Sequence, residues 1–397
     1  MELIKKVRPI HPFAARMAPE IAFEALNGVP KGAVILDPMV GSGTVLRTVS
    51  DYGYHGIGFD VDPLAVLMSK AWTSPIKPES LLLRAKQLVK ETSELQQTDI
   101  SLLWVDRDKD TREFINFWFA KPQIRSLRKL SYLLAGMKGP YSNVLRIALS
   151  RLIITKTKGA SLAADVSHSR PHRVRTENDF DVNYEFLRAC QRLAKLIEAN
   201  QPSGNVNIRL GDARKLKGVK DNTVDAIITS PPYLNALDYM RGHKLALVWL
   251  GHKIGELASI RSGSVGVERA PSGRANLELA KKITAGMDCM DKVPPRTRNM
   301  IYRYALDIHA ILEECARVLK NDGRATFVVG NSCLRGVYIE NTHIVSTATR
   351  MFGLQLIGER EREIPETKRY LPPPTNKEAS AFKSRMRTES VLTYCKA

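Results

Sequence analysis

The run Ala33-Val-Ile-Leu36 constrains the fold more than any other stretch of this chain. It stops at Asp37-Pro38, enters the turn Met39-Val-Gly-Ser-Gly43, and gives way to a helical pattern from Thr44 to Tyr52. A short apolar run without alternation reads as a strand buried on both faces, and such a strand needs helices above and below it. The pattern recurs. His55-Gly-Ile-Gly-Phe59 is strand-like and ends at Asp60, and Pro63 to Trp72 is helical. Val206-Leu210, Asp225-Ile228 and Ala325-Val329 are further strand-like runs. Tyr304 to Leu319 places Leu306, Ile308, Ile311, Leu312, Cys315, Val318 and Leu319 at helical spacing, with Asn321-Asp-Gly323 expected to end that helix. Strands alternating with helices predict an α/β fold with a doubly wound, mostly parallel sheet. Ligands of such sheets bind beyond the carboxyl ends of the strands.

Composition narrows the class. The 397 residues are 44% hydrophobic, enough for a sizeable core, which excludes wholesale disorder. The five cysteines, Cys190, Cys289, Cys315, Cys333 and Cys395, form no C-x-x-C pair, which argues for a reduced cytoplasm and against a disulfide framework or structural zinc. No secretory h-region and no apolar run long enough to span a bilayer is visible, so a cytoplasmic protein without a membrane partner is expected. Lys and Arg number 60 against 41 acids, a net charge of +19, which points to a polyanionic partner, nucleic acid first. A merely basic surface is the alternative on charge alone.

The excess is uneven. Between Lys121 and Thr176 there are twelve basic residues and one acid, and between Arg241 and Met300 eleven basic residues and five acids. This suggests a main domain made of residues 1–74 and 201–397, interrupted by a basic, largely helical insert at 75–200. Glycine and serine around 260–275 suggest a mobile loop within 251–300.

Three strand ends carry acids. In Asp37-Pro38-Met-Val-Gly41-Ser42-Gly43-Thr44, the glycines let the backbone turn sharply and approach a ligand. Leu46 stands where a dinucleotide fingerprint needs a third glycine, and no Gly-Lys-Ser/Thr is present, so a P-loop is excluded. Asp37 ahead of the glycines suits a cationic ligand rather than a phosphate. Asp60 closes the second strand, where a carboxylate can take both hydroxyls of a ribose. Asp62 either belongs to the site or only caps the following helix. Asp212, after Val206-Leu210, is placed to accept from an adenine amino group, or forms a plain turn. Together they read as a site for S-adenosylmethionine, whose sulfonium is positive and whose adenosine offers donors.

A fourth strand end, Asp225-Ala-Ile-Ile-Thr-Ser230-Pro231-Pro232-Tyr233, carries the chemistry. The prolines fix φ and remove two backbone donors, leaving carbonyls as acceptors. Ser230 Oγ and the Pro231 carbonyl can then accept from an exocyclic amine, and Tyr233 offers a ring on which an extruded base stacks. Acceptors held around such an amine favour a more tetrahedral nitrogen, with its lone pair directed at a sulfonium methyl.

Asp37-Pro-Met-Val-Gly-Ser-Gly-Thr44 together with Thr229-Ser-Pro-Pro-Tyr233 resembles the amino-methyltransferase family of site-specific DNA methylases, which modify cytosine N4 or adenine N6. The resemblance covers roughly residues 5–72 and 205–397. It implies a seven-stranded class I methyltransferase sheet, a glycine loop that binds S-adenosylmethionine, and an arm that holds the target amine. Arg8-Pro-Ile-His11-Pro-Phe13 resembles the segment closing over the cofactor's methionine end, though His11 and Phe13 also read as packing residues. Arg387 to Lys396 resembles the final strand. Serine in the arm favours cytosine N4; adenine N6 or an RNA substrate stays open, as does a non-catalytic nucleic-acid binder on the same fold. The insert between Asp60 and Asp212 departs from the usual layout and leaves open which segment reads sequence.

Lesser candidates rest on composition. Lys156-Thr-Lys-Gly159, Ser167-His-Ser-Arg-Pro-His-Arg173 and Lys368-Arg-Tyr-Leu-Pro-Pro-Pro374 read as phosphate contacts. His168 and His172 are separated by Pro171, which argues against a helical metal pair, and no metal is assigned. Asn235, Asp238 and Tyr239 read as lining the base pocket, with Asp238 equally a helix cap.

Overall fold

The structure, a computed structural model, describes residues 8–155, 158–164, 171–234, 238–266, 273–334, 336–364 and 388–397. After helix α1 (Pro19–Ala25), the chain forms β1 (Val34–Asp37), α2 (Thr44–Asp51), β2 (His55–Asp60) and α3 (Pro63–Thr73). These last four elements fall within one residue of their sequence-predicted limits, because local punctuation sets them. Gly43 starts α2 with φ of +83°, and Asp62 caps α3 by accepting from the Leu64 amide.

The insert is built from α4 (Pro78–Glu94), α5 (Leu103–Asp106), α6 (Lys109–Trp118), α7 (Lys121–Gly136), α8 (Pro140–Ile153), the small ribbon β3 (Ala163–Ala164) and β4 (His172–Arg173), and α9 (Val182–Glu198). Among the described residues it encloses no separate core. One apolar cluster runs from Leu64 and Trp72 of α3 through Leu145, Leu149 and Leu193 to Leu245 and Trp249 beyond the arm. Burying that surface anchors the insert to the sheet's helical flank.

The chain returns through β5 (Val206–Leu210) and β6 (Val224–Thr229), then α10 (Tyr239–Leu247), α11 (Ile254–Gly263), α12 (Arg274–Thr284) and α13 (Pro295–Val318). It closes with β7 (Leu319–Val329), the hairpin β8 (Ser332–Leu334) and β9 (Val337–Ile339), α14 (Asn341–Met351), β10 (Leu354–Glu363) and β11 (Thr388–Lys396). Two expectations need correction. Residues 251–300, read as a mobile loop, are mainly helical: Leu257, Ala280 and Ile283 are buried on α11 and α12, and the glycines and serines that suggested a loop cluster near 263–273. Residues 267–272 lie outside the described residues. The helix expected from Tyr304 begins at Pro295, a residue suited to a first helical turn. It ends at Val318, where β7 starts at once: Leu319 pairs with Val224 and Arg324 with Ala226, so the Asn321-Asp-Gly323 turn is absorbed as a bulge with Asp322 at φ +59°.

Among the described residues the sheet has seven strands in the order β10-β11-β7-β6-β1-β2-β5, with β11 antiparallel to its neighbours and the other pairs parallel. It is the doubly wound, mostly parallel sheet expected from the sequence. From β1 the chain winds outward through β2 and β5; it then comes back to β6 on the other side and winds outward through β7. The strand order therefore reverses between β1 and β6, and the crevice at such a reversal is where open α/β sheets bind ligands. Ile35, Leu36, Ile227 and Ile228 beneath it are fully buried. Among the described residues no helix is long and apolar enough to cross a membrane.

Candidate functional site

The carboxyl ends of β1 and β6 meet at this reversal. Ile35 pairs with Ala226 and Leu36 with Ile227, so the next residues, Asp37 and the end of β6, emerge side by side. Thr229 Oγ1 donates to Asp37 Oδ1 at 2.8 Å across 192 positions of sequence, and the Met39 amide donates to the same oxygen at 3.1 Å. Both Asp37 and Thr229 are buried. Burial pushes the Asp37 carboxyl up to about 7, against the lowering effect of its two donors. The glycine loop and the double-proline arm thus open onto one crevice.

The loop is held from β2. Asp60 Oδ2 accepts from the Gly41 amide and Oδ1 from the Asp62 amide, both at 2.9 Å. Burial, and then the nearby Asp62 charge, push Asp60 up to about 6. Pro38 is buried, and Ser42 and Thr44 bond each other at 3.0 Å. Gly43 is required by contact as well as by φ: a Cβ there would lie 2.6 Å from Ser69 Oγ and 2.9 Å from its Cα. Gly41 faces the Phe13 ring, 3.4 Å from a would-be Cβ. Phe13 in turn stacks on Tyr239 with centroids 4.5 Å apart, and His243 lies beside both rings. His243 Nδ1 meets Asp62 Oδ2 at 2.5 Å. Burial alone would raise Asp62, but His243 together with the Leu64 and Ala65 amides outweighs it, and the carboxyl stays below its usual range. Carboxylates below and aromatic rings beside a glycine turn make a setting for a cation rather than a phosphate.

In the arm, Ser230 Oγ donates to the Val328 carbonyl at 3.0 Å. With its proton directed there, the hydroxyl has lone pairs left to accept with, shared between the neighbouring Tyr233 hydroxyl and the crevice. Pro231 is buried, and Pro232 and Tyr233 are half-buried. The Tyr233 ring lies against Gly330, where a Cβ would come within 2.6 Å of Cε2. Burial raises its pKa, the Glu389 carboxylate raises it further, and both Ser230 and Glu389 are hydrogen-bond neighbours of its hydroxyl. Glu389 also pairs with Arg362 at 3.4 Å.

Asp212 is placed differently from the other strand-end acids. Arg214 grips both of its oxygens, at 2.7 to 3.1 Å, and reaches Asp307 at 2.7 Å and the Gly263 carbonyl at 2.7 Å. Burial would raise Asp212, but Arg214 holds it below the usual carboxylate range. Asp238 binds Arg261 at 2.7 Å rather than capping α10 through its side chain. His11 bonds Ser150 at 3.0 Å, and Tyr239 donates to the Ala14 carbonyl at 3.0 Å. Asn235, Lys156, Ser167 to Arg170 and Lys368 to Pro374 lie outside the described residues. His243, Arg214 and Glu389 are site neighbours that the sequence reading passed over. Each is a lone polar residue without a motif, and its partner is remote in sequence or, for Arg214, adjacent to a candidate taken for a ligand.

No protein-family model matches the chain. Among solved structures it is similar to a geranyl diphosphate methyltransferase in complex with GPP and sinefungin, at 8% identity and a TM-score of 0.37, covering 96% of this chain and 77% of that one. Among curated proteins it is 25% identical over 56% of its length to Type II methyltransferase M.BsoBI of Geobacillus stearothermophilus, of which it spans 48%. Over 92% of its length it is 23% identical to Type II methyltransferase M.MvaI of Kocuria varians, 86% of which the match covers.

Proposed function

We propose that this chain is a site-specific DNA methyltransferase that uses S-adenosylmethionine to methylate the exocyclic amine of a flipped base, cytosine N4 in the first instance. The observation that carries this reading is the Thr229–Asp37 bond, which puts the glycine loop and the Ser-Pro-Pro-Tyr arm in one crevice. The similarity to two Type II methyltransferases supports it. When bound, the cofactor supplies an electrophilic methyl on a sulfonium. The chain's own residues do the rest. Gly41 and Gly43 allow close backbone approach; Asp60 takes the ribose hydroxyls; Phe13 covers the loop. Asp62, held below its usual range, and Asp60 give the positive ligand a negative surround, to which Asp37 adds as its carboxyl, raised to about 7, ionises. Asp212 reaches an adenine amine only by sharing its carboxylate with Arg214. Ser230 Oγ and the Pro231 carbonyl accept from the target amine and turn its lone pair toward the methyl, while Tyr233 stacks on the base. Positioning and fixed dipoles of this kind supply most of the barrier reduction.

The test is transfer of tritium from labelled cofactor to unmethylated genomic DNA, with the modified nucleoside identified by mass spectrometry. N4-methylcytosine is expected, and Ser230→Ala should lower kcat by roughly 100-fold with cofactor affinity unchanged. Methyladenine alone moves the assignment to adenine N6, and label in RNA alone moves it to RNA. DNA retention without any transfer makes the chain a binding protein.

A further inference from the structure

Asp212 leaves the sheet beside the acid that supports the glycine loop. Leu210 pairs with Asp60, and the Gly211 amide donates to the Asp60 carbonyl at 2.9 Å. The Asp60 carboxylate in turn holds the Gly41 amide. An acid one residue beyond Gly211 therefore stands next to the ribose acid, on the side to which the base of a bound nucleoside extends.

The grip of Arg214 distinguishes Asp212 from a free acceptor. The Arg214 amide and Nε each donate to Oδ1 at 2.9 Å, Nε is shared with Oδ2 at 3.1 Å, and Nη2 donates to Oδ2 at 2.7 Å. An ionised carboxylate has roughly four acceptor positions. Among the described residues three donors occupy them, which leaves about one, and 28% of the Asp212 side-chain surface stays open to receive a ligand. Burial alone would raise this carboxyl, but Arg214 and Lys215 overcome it. A carboxylate kept charged accepts and cannot donate, so the remaining position suits an N–H and repels a carbonyl oxygen.

The guanidinium is itself fixed from behind. Nη1 donates to Asp307 Oδ1 at 2.7 Å, and Nη2 to the Gly263 carbonyl at 2.7 Å. Asp307 is buried on α13, and its other oxygen takes the Gly266 amide at 3.2 Å and Arg303 Nε at 3.3 Å. The end of α11 and the middle of α13 thus set the plane of the fork, and the fork sets the plane of the carboxylate. A tie that only joined β5 to α13 would need the Arg214–Asp307 pair alone; holding both oxygens of Asp212 orients that acid as well.

We infer that Arg214 is a positioning residue for the adenine end of the cofactor: by fixing the Asp212 carboxylate with one acceptor position free, it makes the site select a purine bearing an exocyclic amine over the same ring bearing a carbonyl. This rests on the S-adenosylmethionine reading above and adds to it the residue that sets base selectivity in the cofactor site.

The experiment is calorimetry on the full-length protein with S-adenosylhomocysteine and with S-inosylhomocysteine, in which a carbonyl replaces the adenine amine. Wild type should bind the first roughly tenfold tighter or more. Arg214→Lys keeps the charge without a planar fork to hold both oxygens, so the preference should shrink to within about twofold. A purely structural role weakens both ligands alike and leaves their ratio at the wild-type value, and that result overturns the inference. A wild type that binds both equally also overturns it, since Asp212 then reads no amine. Should Arg214→Lys fail to melt cooperatively, Asp307→Asn takes its place: the fork remains but loses its rear anchor, so the preference should again shrink, and an intact ratio overturns the inference. A wild type that binds neither ligand defeats the cofactor reading itself, and the inference falls with it.

Discussion

Asp37 shows how one residue couples the two halves of the crevice, and its burial has a measurable consequence. Its carboxyl is raised from an ordinary value to about 7 by desolvation, only partly offset by Thr229 and Met39. A group whose folded pKa lies above its unfolded pKa contributes stability that is complete at low pH, below the unfolded value near 4, and is lost as pH rises through about 7. Replacement by the uncharged, similarly shaped asparagine removes that titration. Asp37→Asn should therefore unfold at a urea midpoint that gains on the wild type as pH rises from about 4 to about 8, with the difference in stability approaching the order of 4 kcal/mol. A gap that stays constant across this range would mean that Asp37 is already charged in the folded chain. The motif containing Asp37 was legible in the sequence. Its partner Thr229 was not marked as such, because a hydrogen bond across 192 positions leaves no local pattern. His243 was missed for the same reason, since its partner Asp62 stands 181 positions away.

At the scale of elements, the sequence was most readable where proline, glycine and aspartate punctuate short strands and helices, as from Val34 to Thr73. It was least readable in 251–300, where turn-forming residues near 263–273 overshadowed the amphipathic spacing of α11 and α12. The join between sheet and insert was also hidden. Arg47 on α2 is buried and binds Asp51 through Nε at 2.9 and 3.0 Å, the Trp72 carbonyl at 2.6 Å and the Asn200 carbonyl at 2.7 Å. One guanidinium thus holds the last turn of α3, where the chain leaves for the insert, and the segment after α9, where it returns. Arg47→Ala leaves the Asp51 charge buried without its partner and should cost about 3–5 kcal/mol in urea unfolding. Lysine, with no planar fork to reach all three acceptors, should rescue little. Arg47→Met combined with Asp51→Leu should recover part of the loss, because no charge is left stranded. If the double variant is as unstable as Arg47→Ala, the two carbonyl bonds rather than the ion pair carry the join.

For the whole molecule, the net charge of +19 predicts an affinity for polyanions, but the structure changes which cations are available to supply it. Several basic residues of the insert already serve the fold. Arg128 pairs with Asp106 at 2.7 Å, Lys129 donates to the Thr92 carbonyl at 2.8 Å, and Arg146 donates to the Leu134 carbonyl at 2.9 Å. Arg151 donates to the Ile10 carbonyl, and Lys158 pairs with Asp179. Side chains that close helix ends and inter-helix gaps keep their charge, yet they reach a phosphate only by giving up those bonds. Lys121, Arg125 and Lys138 on and after α7 are exposed, so they are the better candidates for direct contact. Each phosphate neutralised by a side chain adds about 0.9 to the slope of log affinity against log salt for duplex DNA. Replacing these three by alanine should therefore weaken duplex binding and flatten that slope by up to about 3 between roughly 50 and 200 mM salt, measured by fluorescence anisotropy. Replacing Lys129 or Arg146 should instead lower the melting temperature and leave the slope nearly unchanged. An unchanged slope in the triple variant would place the duplex on another face and shift attention to the basic residues of 241–300. The comparison thereby separates cations that bind nucleic acid from those that the fold has already committed.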